Sequence, residues 1–315
     1  MESTPWQGRR DDDPAGSTRR WHEAVTALRE DAEPGLAILG FACDAGVRRN
    51  LGRPGAAGAP DEIRKALAKL PLHDGLPRLE AGDISCQGDG LEEAQEAFAR
   101  AVGKLLAAGH FPLGLGGGHE IAWASFQGLA RHLEGGPTPK IGIVNFDAHF
   151  DLRAGEPGNS GTPFRQIAED CSRRGWPFAY ACMGVSRYAN TAALYARARQ
   201  FGVLWREDER LSLAELPAAK MELEAFLAGV DSVYLTVCLD VLPLSLVPGV
   251  SAPAPRGVGL EVLEPLLDLV MGSGKVRLAD IAELNPDYDI DGHSARVAAR
   301  LAARIAERVC LGRTS

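Results

Sequence analysis

No apolar run in this 315-residue chain approaches the roughly 20 residues that span a bilayer. Its opening stretch, MESTPWQGRRDDDPAGS, has no apolar core of the kind a secretory signal carries. The expectation is a cytoplasmic protein with no membrane partner. Basic clusters are also missing beyond pairs such as Arg48-Arg49 and Arg173-Arg174, and 34 Lys and Arg against 42 Asp and Glu leave a formal charge of −8. Nucleic acid requires a cationic footprint, so that class of partner is not expected. The six cysteines, Cys43, Cys86, Cys171, Cys182, Cys238 and Cys310, include no CxxC pair. That argues against a zinc ribbon and against a disulfide framework. Internal repeats, low-complexity segments and Ser/Gly linkers are absent too, so nothing marks a second domain.

What is present is an ordinary globular composition, 45% hydrophobic and 24% charged. Short β-type runs alternate with amphipathic helical stretches from Leu36 onward. The runs are Leu36–Phe41, Arg78–Ala81, Phe111–Leu115, Lys140–Phe146, Phe178–Gly184, Val203–Trp205, Ser232–Leu239 and Val276–Leu284. Between them lie helices such as Leu91–Ala108, with Phe98, Val102, Leu105 and Leu106 on one face and Gly109 as a stop. The last helix carries Val297, Leu301, Ile305 and Val309 in a four-residue stripe. Strands apolar on both faces, alternating with helices, predict an α/β fold with a mostly parallel sheet covered on each side. Residues 21–315 read as a single domain, and residues 1–20 as a flexible or loosely docked lead-in.

Ligands of open α/β sheets gather at the carboxyl ends of the strands, and four strands here end in ionisable groups: His119, Asp147, Asp240 and Glu283. NFDAHFDLR is the most informative stretch. If the backbone stays extended, Asp147, His149 and Asp151 project to one side while Ala148 and Phe150 point away. Two carboxylates and an imidazole leaving a buried strand repel and desolvate one another unless a cation compensates, which a divalent metal does directly. LGLGGGHE offers His119 at the entry to a helix; it lacks the Lys-Ser/Thr of a phosphate loop and the full GxGxxG spacing. In TVCLDVLP, Cys238 and Asp240 share one face. Such a set, rich in carboxylates, exceeds one tetrahedral zinc site and suits two Mn²⁺ that activate a water.

GGGHE, NFDAHFD, the CLD segment followed by PGVSAPAPRG, and AELNP stand in the order and spacing of the ureohydrolases, the arginase and agmatinase superfamily, which this chain resembles over nearly its whole length. WQGRRDD, GFACDAGVRRNLGRPGA, NSGTPFRQI and GVSRYANT resemble its formimidoylglutamase branch. The resemblance implies a three-layer α/β/α fold and a dimanganese site. It implies hydrolysis of N-formimidoyl-L-glutamate to glutamate and formamide in histidine degradation, and a homo-oligomer. It makes His119, Asp147, His149, Asp151 and Asp240 metal ligands, and Glu283 the glutamate facing the amidine. Cys238 stands where most of the superfamily has an aspartate, and Ser160 where arginases and agmatinases have a histidine. With that histidine absent, Asp151 becomes the acid-base candidate.

A dicarboxylate substrate needs cationic and hydroxyl partners, for which Arg153, Ser160, Thr162, Arg165 and Arg187 are the candidates. Two other readings stay open. One is another amidine or guanidino-acid hydrolase; the other is a ureohydrolase-like binding or regulatory protein in which Cys238 has abolished metal assembly.

Overall fold

The computed structural model describes residues 5–314. Among them are nine strands: β1 (Val25–Ala27), β2 (Leu36–Ala42), β3 (Arg78–Ser85), β4 (Phe111–Gly116), β5 (Ile141–Phe146), β6 (Ala179–Val185), β7 (Leu204–Glu207), β8 (Ser232–Cys238) and β9 (Val276–Ala282). They form one sheet in the order β1-β3-β2-β4-β9-β8-β5-β6-β7, and its ladders are parallel. All eight expected strands are there. The addition, β1, is a three-residue edge strand, too short and too exposed to show a period. Two expected strands end early: Leu239–Val241 closes into a 3-10 turn after β8, and Glu283 takes a positive φ of 72° after β9.

The pattern along β8 shows why the sheet is buried on both sides. Val233, Leu235 and Val237 enter one core while Tyr234 enters the other. Helices Ala59–Leu67, Leu216–Ala228, Leu260–Gly272 and His293–Thr314 cover the first face. Leu91–Ala107, Ile121–Leu133, Pro163–Arg174 and Ala192–Gln200 cover the second. The result is the expected three-layer α/β/α arrangement. In the last helix, Val297, Leu301, Ile305 and Val309 are all buried.

Strands β4 and β5 are consecutive in sequence, yet β9 and β8 lie between them. The first block of the sheet therefore ends at β4 and the second begins at β5, on either side of a gap that β8 and β9 later fill. This is the crevice where ligands collect in doubly wound sheets. Of the lead-in 1–20, residues 1–4 lie outside the described residues. Beyond them the Trp6 indole donates to Glu80 at 2.8 Å and Arg20 donates to Asp11 at 2.9 Å.

Replacing fully buried Leu301 with Ala is expected to lower unfolding free energy by about 2–5 kcal/mol. Met221→Ala, at a side chain 70% exposed, is expected to change it by less than about 0.5 kcal/mol. Urea denaturation followed by circular dichroism reads both.

Candidate metal centre

Four adjacent central strands, β4, β9, β8 and β5, deliver the chemistry. After β4 the amides of Gly117 and Gly118 donate to the carbonyls of Phe41 and Cys43 at 2.8 and 3.0 Å. A Cβ at Gly117 would lie 1.7 Å from the Cys43 oxygen, so only glycine lets the chain pass and place His119 before helix Ile121–Leu133. Past β9, the Glu283 amide donates to the Gly117 carbonyl, and its Oε1 accepts the His119 N–H, both at 2.8 Å.

Asp147, His149 and Asp151 do converge, but pleating is not the reason. The strand stops at Phe146 and the next five residues form a loop, with Asp151 at a φ of +47°. That loop is held by hydrogen bonds. Asp147 N donates to Met183 O, Asn190 brackets Ala148 O and Phe150 N, and His149 N donates to Asp147 Oδ1 at 2.7 Å. Ala148 and Phe150 go into the core as expected. Cys238 and Asp240 likewise meet through a 3-10 turn rather than along an extended strand.

His119 Nδ1 lies 2.9 Å from both Asp147 Oδ2 and Asp151 Oδ2. His149 Nδ1 lies 3.0 Å from Asp240 Oδ2 and 3.5 Å from Asp147 Oδ1. Two triads of donor atoms fall within 4.8 Å: His119, Asp147 and Cys238, and then Asp147, His149 and Asp240. Asp147 belongs to both. The His119 Nδ1 is buried without a directed hydrogen bond, the disposition of donors around a shared centre. This set fits divalent cations, and Asp147, common to both triads, lets it fit two.

Ionisation at the site is dominated by burial. It pushes the Glu283 carboxyl up to about 8, helped by Glu120 and Asp240, and Glu120 up to about 7. Burial and then Asp147 raise Asp151 to about 6. Cys238 is raised well above the ordinary thiol range by burial and by Asp147, Asp240 and Glu283. Burial opposes charging of His119, but the carboxylates of Asp147 and Asp151 beside its Nδ1 lift it well above the usual value. For His149, Asp240 and Asp147 likewise overcome burial. Burial also opposes Asp147, which His119 and His149 nevertheless hold well below the carboxylate range.

The donors floor a cleft of about 290 Å³. Of the expected substrate-binding residues, Arg153 and Ser160 line it. Arg165 does not: its guanidinium holds Glu156, Glu169 and the carbonyls of Arg153 and Gly155. Thr162 also lies outside the lining, its hydroxyl bonded to Asn159 and Gln166. Arg187 is exposed and away from the cleft wall. Sequence reasoning missed Asn50 and Arg53, which also line the cleft. Asn50 Nδ2 donates to Ser160 Oγ at 3.1 Å. Arg53 bonds the carbonyls of Ser251 and Val250 and stacks on Tyr288. The signal lay in VRRNLGR, a polar loop following a buried strand.

In metal-free protein, Glu283, Glu120, Asp151, His119 and His149 have folded-state pKa values above their unfolded ones. The folded chain then binds more protons, so stability falls as pH rises through those values. Asp147 acts at the other end, losing its contribution only as pH drops through 3.8 and below. The melting temperature in EDTA is expected to decline steadily from about pH 6 to about pH 9, and Glu283→Gln to flatten the slope. A rise over that interval would contradict the account.

Residues 34–307 match the Arginase family. Formimidoylglutamase from Ralstonia nicotianae is 58% identical over 95% of this chain and 93% of its own. Formimidoylglutamase from Aeromonas hydrophila is 53% identical over 95% and 96%. Among solved structures, Trypanosoma cruzi formiminoglutamase with Mn²⁺ superposes with a TM-score of 0.81 at 27% identity, covering 93% of this chain and 99% of that one. The formimidoylglutamase of Bacillus subtilis shares the fold at a TM-score of 0.84 and 22% identity, over 96% and 95%. With a family match over most of its length, and relatives more than half identical, the chain belongs to the arginase family.

Proposed function

We propose that this chain is an amidine hydrolase that cleaves the C–N bond of N-formimidoyl-L-glutamate to give L-glutamate and formamide, a step of histidine degradation, with two Mn²⁺ per subunit. The observation that carries it is two donor triads sharing Asp147 beneath a cleft whose rim holds an unpaired guanidinium. Formimidoylglutamase relatives at 58 and 53% identity support the substrate. His119, Asp147, Asp151 and Cys238 would hold one cation, and Asp147, His149 and Asp240 the other. When bound, the pair supplies an activated water and a Lewis acid beside it.

The chain's own residues do the rest. Glu283 at the cleft floor binds the amidinium by charge-assisted hydrogen bonds and orients its carbon. Attack of water there gives a tetrahedral carbon; the oxygen and one nitrogen stay with the departing formamide, and the other nitrogen leaves as the amine of glutamate. Asp151 takes the proton of the attacking water and returns it to that amine. Arg153 receives substrate carboxylate at the rim: its guanidinium has no hydrogen-bond or ion-pair partner among the described residues. The place where a Cβ of Gly161 would sit is 3.0 Å from Arg153 Nε and 3.1 Å from Asn50 Nδ2, so a side chain there would crowd both groups. Arg165 and Thr162 shape that loop rather than touch substrate. Cytoplasmic location and homo-oligomeric assembly belong to the same reading.

Mn²⁺-loaded protein is expected to release formamide from formimidoylglutamate and to leave guanidino acids untouched. Preference for a guanidino acid would favour the other hydrolase reading, and binding without turnover a regulatory one. Arg153→Met is expected to reduce kcat/KM by about 10- to 100-fold, mainly through KM, the range of a charged hydrogen bond. Glu283→Gln is expected to lose about a hundredfold or more in kcat. Steady-state kinetics separates the two. Cys238→Asp, which supplies a harder bridging donor, is expected to tighten Mn²⁺ binding in calorimetric titration.

A further inference from the structure

One row below the metal donors, the sheet carries polar side chains where an apolar core would be expected. The register pairs Asn145 of β5 with Thr236 of β8, and Thr236 with Asp280 of β9. All three are completely buried. Gly114 of β4 continues the row beside Asp280, where a Cβ would lie 2.7 Å from that of the aspartate. Burying such a row is unfavourable unless its hydrogen bonds are made. Most are made towards the site, while Asn145 Oδ1 and Asp280 Oδ1 have no hydrogen-bond partner among the described residues. Asn145 Nδ2 donates to Asp147 Oδ2 at 3.0 Å, and Thr236 Oγ1 lies 3.1 Å from His119 Nε2.

Asp280 gathers hydroxyls. Its Oδ2 accepts from Ser125 Oγ at 2.6 Å and from Tyr234 OH at 2.7 Å, and Thr236 is its register neighbour on β8. A threonine hydroxyl has one proton. The hydroxyl oxygen keeps lone pairs that accept, and a neutral imidazole that offers Nδ1 to a cation carries its hydrogen on Nε2 and donates it to Thr236 Oγ1. Its lone pair is then on Nδ1, the atom aimed at Asp147 and Asp151. Partners of the second ring nitrogen fix the tautomer and orientation of metal-binding histidines, and their loss weakens metal binding by about 10- to 100-fold.

We infer that Thr236 is a positioning residue that locks His119 in the Nε2–H tautomer and so sets the cation affinity of the half-site made by His119, Asp147 and Cys238. This rests on the two-cation reading above. It assigns no such role for the half-site containing His149, which this hydrogen bond does not touch.

The test is calorimetric titration of the whole metal-free chain with Mn²⁺, with melts in EDTA to confirm folding. Wild-type protein is expected to take up two equivalents. In Thr236→Val one equivalent is expected to weaken at least tenfold while the other stays within threefold of wild type. Thr236→Ser, which restores the hydroxyl, is expected to recover the lost affinity. Thr236→Ala removes the same hydroxyl and carries the same test should Thr236→Val fail to fold; it too is expected to weaken one equivalent. Two equivalents of wild-type affinity in a folded Thr236→Val or Thr236→Ala would overturn the inference and leave the metal reading standing, as would equal weakening of both. Wild-type protein that binds no Mn²⁺ would sink the metal reading and the inference with it.

Discussion

Charge compensation in a buried place governs this molecule. Asp147, His119, His149 and Asp240 are nearly or largely removed from water at one end of the sheet. Without an ion they balance one another only in part: the imidazoles are driven towards their charged forms and Asp151 and Glu283 towards their neutral ones. A cluster that must hold protons to be tolerated is one that releases them when a cation arrives, so metal uptake and proton release are two sides of one equilibrium. The surrounding glycines, tight turns and inward-facing hydroxyls make sense as the framework that keeps these donors close despite their repulsion.

The sequence made the layers readable because β8 and its neighbours are apolar on both faces, and because the closing helix repeats its stripe every four residues. The donor set was readable for a different reason: ionisable residues directly after apolar strands have few innocent explanations. The way they meet was not. Alternation in DAHFD suggested a pleated strand, while the chain turns into a loop whose shape depends on Met183 and Asn190, residues distant in sequence. Pattern within a segment carries no information about such partners.

The same limit separates the arginines. Arg153 and Arg165 look alike in the sequence, both near the metal motif. Only the fold shows that Glu156, Glu169 and two carbonyls occupy one and leave the other free. Asn145, Thr236 and Asp280 each look like a lone polar residue in an apolar strand. Their register across three strands, invisible until the ladder order is known, turns them into one connected row.

The strand order also dictates when the centre can exist. The two outer blocks of the sheet come from residues 25–116 and 141–207, and the pair that joins them arrives last, from residues 232–282. Contacts between β4 and β9 span well over a hundred residues, the kind of closure that slows folding. Assembly of the ion-binding floor is thus tied to the insertion of β8 and β9, and a nascent chain holds its histidines and aspartates apart until the sheet is zipped shut.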